Sequence, residues 1–216
     1  MIAHPEYSEI FYEPLENEPV RVPLTTDPSL FADAVALGER LLWLHTFGTR
    51  YTSSDRPPGR VPRRECIGWT KEVTMLPGTL KDIGYDPDAH ELHIGDGVVS
   101  GVSSEVRKFE ISGLNVLDKW LGARTAKGIG KSAQKTATPL DKIRPTEWED
   151  DWNDELLDLL RVLTTTVEIY PAQEDLLDAI LAGPLIEASE LPTPDAAESL
   201  VPATIKRSTV IQEELN

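Results

Sequence analysis

The sequence predicts an α+β fold, in which a small antiparallel sheet or hairpin cluster packs against several helices and a disordered acidic tail follows. Short apolar segments separated by turn residues occupy residues 71–112, a pattern typical of strands. Before and after that region, apolar residues recur at helical spacing in residues 28–47 and 150–170. The chain has 216 residues, which is enough for one domain, assigned to residues 1–184, with the tail over 185–216.

Local signals before the sheet predict two helices joined by an extended segment. A short helix is expected over residues 5–13, ended by Pro14, and residues 20–24 are expected to be extended. Asp27-Pro28 is an N-cap followed by proline, and it predicts a long helix that ends near Phe47. One apolar stripe of this helix is expected to face the core, with His45 hydrogen-bonded there: Phe31, Ala34, Val35, Gly38, Leu41, Leu42 and His45.

The central region is predicted to form a hairpin followed by shorter elements. Strands over residues 81–85 and 91–94 flank the turn-rich residues 86–90, and a further turn leads to a third strand at 98–99. A serine-capped short helix, a short strand and an amphipathic helix come next. The apolar face of the last helix, on which Trp120 is expected to be buried, holds Val116, Leu117, Trp120 and Leu121.

Two irregular segments and an acidic helix complete the predicted order. Residues 48–70 are rich in proline and residues 125–139 in glycine and lysine, so both are expected to be long loops. An acidic helix is predicted over residues 150–170. Pro171 is expected to break or kink it before a last helix over 172–181.

The net charge of −16 argues at first against a nucleic-acid ligand, because phosphate contacts need cations. The distribution of charge changes that interpretation. Residues 48–72 carry 6 basic and 3 acidic groups, and residues 123–146 carry 6 and 1, so these two basic windows hold 12 of the 21 cations. A ligand within a Debye length of about 8 Å responds to this local sign more than to the total charge.

Eight side chains of the two basic windows are candidate DNA contacts. Arginine can bridge a phosphate or a guanine edge with two hydrogen bonds, and lysine acts as a point charge. The candidates are Arg56, Arg60, Arg63, Arg64, Arg124, Lys127, Lys131 and Lys135. Among the tryptophans, Trp43 is expected in the core and Trp69 is left open as a base-stacking side chain. Judged from charge alone, the simpler interpretation is that the two windows are solvated loops that bind no ligand.

No motif predicts independent catalysis, a metal site or a cofactor. Residues 128–132 end like a phosphate-binding loop but lack its full spacing and a preceding strand. The four histidines and Cys66 do not form a zinc pattern. A lone cysteine fits a reducing cytoplasm, and no stretch approaches the roughly 18 apolar residues of a membrane span.

An ordered series of motifs resembles the C-terminal specificity, or target recognition, region of type ISP restriction–modification enzymes and related adenine DNA methyltransferases. The core of the resemblance is residues 102–109, which read VSSEVRKF, followed by Ile111, Ser112, Gly113, Val116, Leu117, Trp120, Leu121 and Arg124. Arg107 departs from the family, which usually has an aromatic residue there. Further matches in residues 38–45, 138–145 and 155–160 extend the resemblance over most of residues 1–185.

The resemblance implies recognition of a sequence in double-stranded DNA. The family's enzymes carry nuclease, translocase and methyltransferase parts upstream, and the motifs of those parts are missing here. We therefore expect a detached specificity region without catalytic activity, which acts with a separate methyltransferase or restriction polypeptide or is the remnant of a truncated gene. The alternative is a protein-interaction or structural module that docks a partner through its acidic helix and has no direct DNA contact.

The missing motifs generate a first prediction. An amino-methyltransferase of this class uses an (N/D)-P-P-(Y/F) tetrapeptide and a glycine-rich turn after a strand, and the sequence has neither. The isolated chain should not bind S-adenosylmethionine or methylate DNA. Isothermal titration calorimetry with the cofactor tests this, and micromolar binding would contradict it.

Overall fold

A four-stranded antiparallel sheet packs against one long helix in the computed structural model, which describes residues 4–59, 61–111, 113–127, 144–193 and 195. The helices in this part of the chain are α1 (Pro5–Ile10), α2 (Tyr12–Asn17), α3 (Pro28–His45), α4 (Ser104–Arg107), α5 (Val116–Ala123) and α6 (Asp151–Ala182). The strands are β1 (Gly68–Lys71), β2 (Ile83–Asp86), β3 (Glu91–Ile94), β4 (Gly97–Ser100), β5 (Glu110–Ile111) and β6 (Leu114–Asn115). The predicted α+β fold is confirmed.

The sheet has the strand order β1-β4-β3-β2, and all its neighbouring strands are antiparallel. The predicted hairpin is β2–β3, in which Tyr85 lies opposite Leu92, and Leu92 in turn lies opposite Val99 on β4. Leu92 and Ile94 on β3 and Val99 on β4 are fully buried, because this face of the sheet packs against α6. We call the buried cluster between the sheet and α6 the main core. The small two-stranded sheet β5–β6 then leads into α5, which Asn115 caps.

Helix α6 runs without interruption for 32 residues, so the helix does not break at Pro171 and the two predicted helices on either side of it are one. A proline inside a helix removes one backbone hydrogen bond, but it does not remove the side-chain packing on either side. Here Ile169 precedes it and Leu177 and Ile180 follow it, and all three are buried. Tertiary packing therefore keeps the helix continuous. No helix among the described residues has the length and apolar character needed to cross a membrane.

The N-terminal helix also divides at a different place from the predicted one. Helix α1 ends at Ile10, and Pro14 lies within the first turn of α2. First-turn N–H groups have no partner inside a helix, so proline is tolerated there. The extended segment that follows is connected to α1, since the Tyr7 hydroxyl donates a hydrogen bond to the Arg21 carbonyl.

Helix α3 begins as predicted but faces the core with a different stripe. The Asp27 carboxylate accepts a hydrogen bond from the Ser29 N–H at 2.8 Å. The predicted core side chains at one edge are exposed, with exposed fractions of 56% for Phe31, 45% for Val35 and 46% for Leu42. Leu41 and Trp43 pack beside α6, as predicted, and Leu37 and Leu44, which were not in the predicted stripe, pack there with them. His45 is also exposed, although its Nε2 lies 3.0 Å from the Thr166 hydroxyl.

The fold includes residues beyond the predicted domain boundary at 184. Leu185 forms a β-bridge with Thr25, and the Ile186 N–H donates to the Leu24 carbonyl at 2.8 Å. These contacts join the C-terminal end of α6 to the segment before α3. Residues 194 and 196–216 of the predicted tail lie outside the described residues.

The loop that enters β1 packs directly on the end of β4, and this contact generates a second prediction. Gly101 has a φ of +82°, and a Cβ added there would lie 1.9 Å from the Cys66 carbonyl oxygen. Gly101→Ala should lower the free energy of unfolding by about 2–5 kcal/mol, because left-handed strain and overpacking act together.

Gly113→Ala is the matched control for that substitution. Gly113 has a φ of +73°, and no atom of the described residues beyond its chain neighbours lies within 4 Å of the added Cβ, so only the strain of about 1–2 kcal/mol applies. Urea denaturation of both variants measures the difference. Equal losses at the two positions would show that the contact with Cys66 does not constrain the fold.

Candidate nucleic-acid interface

The first basic window folds back over the C-terminal end of α3. The Gly59 N–H donates to the Gly48 carbonyl at 3.0 Å, and the Trp43 indole donates to the Pro57 carbonyl at 3.2 Å. Trp43 is buried, as predicted. The window is therefore an irregular loop that is fixed to the domain along its first half, but it ends earlier than predicted, because Gly68–Lys71 form strand β1.

Two predicted DNA contacts of this window form ion pairs within the protein. The Arg56 guanidinium lies 3.0 Å from the Glu39 carboxylate on α3. The Arg64 guanidinium pairs with Glu168 and also donates to the Thr165 hydroxyl at 3.2 Å, both on α6. Each arginine side chain is less than one-third exposed. Both guanidinium groups therefore stabilise the position of the loop.

Arg63 differs from its neighbours because it is exposed and forms no ion pair with any described residue. Arg50, which sequence reasoning did not select, has the same two properties. Arg60 lies outside the described residues. Within the described part of the window, Arg50 and Arg63 are thus the exposed cations without an ion pair to a described residue, whereas exposed Lys71 pairs with Asp96.

The first cation of the second basic window is enclosed by tryptophans. The Arg124 guanidinium lies 3.7 Å from the centroid of the Trp120 ring and 5.2 Å from that of Trp152. It also donates to the Glu155 carboxylate at 2.8 Å and to the Trp120 carbonyl at 3.3 Å. These contacts make Arg124 a connection between α5 and α6. Trp120 is only partly buried, contrary to prediction, with a charged guanidinium stacked over its ring.

The start of the second window is attached to the loop before β2. The N–H groups of Ala126 and Lys127 donate to the carbonyls of Pro77 and Gly78 at 3.0 and 3.1 Å. The side chain of Lys127 is exposed and forms no ion pair with the described residues. Lys81, exposed on the following short turn, is an additional cation that the sequence did not single out because acids outnumber bases around it. Lys131 and Lys135 lie outside the described residues.

The two windows contact α6 at separate places. Arg64 pairs with Glu168 and Arg124 pairs with Glu155, 13 positions earlier on the same helix. At 1.5 Å and 100° per residue, these positions are about 20 Å apart along the axis and about 140° apart around it. The ion pairs therefore do not bring the windows together. That the two loops form one positive surface stays a prediction.

Trp69, left open as a base-stacking side chain, forms part of the fold. Its indole N–H donates to the Asn153 carbonyl at 3.2 Å, and its ring packs against the main core. Among the described residues, no group of three or more histidine, cysteine or acidic side chains is arranged to hold a metal ion.

Taken together, these elements define a small α+β domain whose exposed loop cations lie on a sheet and helix framework. Residues 1–159 match the family model described as the type ISP C-terminal specificity domain. Since the match covers well over half of the 216 residues, the chain belongs to that family. Membership supports a role in DNA target recognition in restriction–modification systems. Comparisons with curated proteins and with solved structures find no match.

The residue that departs from the family's usual pattern has a local structural role. Arg107, at the end of α4, lies 2.9 Å from the Asp118 carboxylate on α5. Its carbonyl accepts a hydrogen bond at 2.9 Å from the amide of Asn115, the residue that caps α5. An ion pair thus connects the two helices at a position where the family usually has an aromatic side chain.

The different environments of Arg124 and Arg63 generate a third prediction. Arg124→Ala should lower the free energy of unfolding by about 1–3 kcal/mol, since it removes a stacked cation and an ion pair. Arg63→Ala should change it by less than about 0.5 kcal/mol, because its side chain is exposed and unpaired. Urea denaturation measures both. Equal stability of the two variants would contradict the structural role of Arg124.

Proposed function

We propose that this domain reads a DNA sequence as the specificity region of a type ISP-like restriction–modification or methyltransferase system, and that it has no catalytic activity of its own. The family match over residues 1–159 is the observation that carries this proposal. The side chains of Arg63 and Lys127, one in each basic window, are exposed and form no ion pair with a described residue, which gives the proposal a physical basis.

The eight candidate contacts should not contribute equally to DNA binding. Arg56, Arg64 and Arg124 each pair with a carboxylate within the protein. To bridge a phosphate, each would first have to break that ion pair, and the free energy lost would offset part of the free energy gained from the phosphate. Arg63 and Lys127 form no ion pair with a described residue, so a phosphate that binds them would displace only water. We therefore expect Arg63 and Lys127 to contribute most among the described candidates.

The acidic surface sets a condition on how DNA can approach. Residues 147–216 carry 17 acidic and 3 basic groups, and they would repel a polyanion. Contact is favourable when loop cations reach the phosphates while the acidic helix lies farther than a Debye length of about 8 Å. A methyltransferase or restriction polypeptide, linked or separate, would supply the chemistry and further cations.

A protein-interaction module remains the second candidate. The observation that favours it is the exposed apolar edge of α3, formed by Phe31, Val35 and Leu42. Exposed apolar patches of this kind mark binding sites for other proteins. A domain of this type can use both kinds of surface, so the measurement has to isolate the contribution of DNA contact.

The fourth prediction concerns the salt dependence of DNA binding. Each neutralised phosphate contributes about 0.9 to the slope of log affinity against log salt concentration. Replacing Arg63 and Lys127 together with alanine should lower the magnitude of that slope by up to about 2 on random duplex DNA. If either side chain reads a guanine edge, its single replacement should cost about 1–3 kcal/mol at the cognate site and much less elsewhere.

The control is the double variant Arg21→Ala with Lys108→Ala, which removes the same charge outside both basic windows. It should leave the slope nearly unchanged. Fluorescence anisotropy titrations should be done with the chain alone and with any methyltransferase polypeptide that copurifies with it. An unchanged slope for the Arg63 and Lys127 variant in both settings would remove these loops from the interface and favour the protein-interaction module.

A further inference from the structure

An open groove of about 540 Å³ lies between α3 and the C-terminal half of α6. The two helices are antiparallel, since the start of α3 lies beside the end of α6 and His45 contacts Thr166. Side chains at helical spacing form the apolar lining: Leu30 and Leu37 on α3, and Ala172, Leu176 and Ala179 on α6. A groove formed by one stripe from each of two packed helices has the shape that a third helix fills.

The charges around the groove are mostly negative. Asp33 on α3 and Asp175 on α6 are exposed and line it from opposite sides, and Arg40 is the one cation among the described residues that line it. The described helix α6 as a whole carries eight acidic residues and one basic residue. An occupant with cations on its flanks would therefore be attracted to this site, and an acidic one would be repelled.

We propose that this groove is the docking site for a cationic amphipathic helix of a partner polypeptide. The apolar face of that helix would cover the leucines, and its lysines or arginines would lie beside Asp33 and Asp175. The small side chains of Ala172 and Ala179 allow the backbones to approach closely. A second copy of this chain is a poor occupant, because its longest described helix is itself strongly acidic.

The identity of the partner rests on the proposed function, since a methyltransferase or restriction polypeptide would supply the helix. Docking would then neutralise part of the acidic surface that repels DNA. Because such coupling is reciprocal, the docked helix should raise the affinity for DNA, and DNA should raise the affinity for the helix by the same factor. Occupancy of the groove can nevertheless be measured with no DNA present.

Isothermal titration calorimetry of the full chain with a synthetic 18-residue leucine–lysine amphipathic peptide tests the groove. The peptide should bind at physiological salt, and a scrambled peptide of the same composition should bind at least tenfold more weakly. Ala179→Gln fills the groove from an exposed helix position without changing charge, so it should weaken binding about tenfold without unfolding the chain. Asp33→Asn with Asp175→Asn should weaken binding several-fold.

The matched control is Asp88→Asn with Glu110→Gln, which removes the same charge from exposed positions outside the groove. It should leave peptide binding unchanged. The proposal would be overturned if the scrambled peptide bound as tightly as the amphipathic one, or if the control variant lost as much affinity as the Asp33 and Asp175 variant. Either result would show that the peptide is attracted only by the net charge of the chain. Tighter peptide binding by Lys206→Ala with Arg207→Ala would also overturn it, because the chain's own C-terminal segment would then be the occupant.

The calorimetry separates failure of this proposal from failure of the proposed function. Peptide binding in the absence of DNA reports on the groove, whereas the salt slope of DNA binding reports on the basic windows. DNA affinity at saturating peptide then measures the coupling. If the chain binds the peptide but does not bind DNA, the result would support docking in the groove and reject DNA recognition.

Discussion

A single buried amide fixes the position of the helix on which the other elements depend. In the first turn of α6, Asn153 accepts a hydrogen bond from the Trp148 indole at 3.1 Å and donates one to the Val73 carbonyl at 3.2 Å. Its own carbonyl accepts from the indole of Trp69 on β1. Breaking one of these bonds would leave a buried polar group without a partner, which costs about 1–3 kcal/mol. This requirement sets the register of α6 against the sheet, and α6 in turn supplies the partners of Arg64 and Arg124.

The arrangement of charge divides the arginines of the basic windows into two kinds. Some stabilise the fold, as Arg124 does between two tryptophan rings and a carboxylate. Others, such as Arg63, extend into solvent. An acidic protein that contacts a polyanion needs this separation, because cations that neutralise the protein's own carboxylates hold the loops in place while the remaining ones stay available. Net charge by itself therefore says little about the ligand.

Local signals in the sequence were sufficient for the β2–β3 hairpin and for the starts of α3 and α6. The hairpin around residues 86–90 and the cap at Asp27 depend on residues close together in the chain, so they could be predicted. The face of α3, the continuity at Pro171 and the pairing of Arg64 with Glu168 depend on contacts across the fold. The last of these joins residues 104 positions apart, and no spacing rule indicates it. The sequence thus identifies the candidate cations, but it does not show which of them form ion pairs within the protein.

The uninterrupted course of α6 has a practical consequence for the exchange of specificity regions between related enzymes. The proline at 171 suggests a natural joining point, and the family match ends at residue 159. Both positions lie inside one helix about 48 Å long. A chimaera joined at residue 159 would separate buried Leu160 and Leu163 from the sheet they cover, and one joined at 171 would remove the groove. Grafts that keep the whole helix with its sheet preserve both basic windows and the framework that supports them.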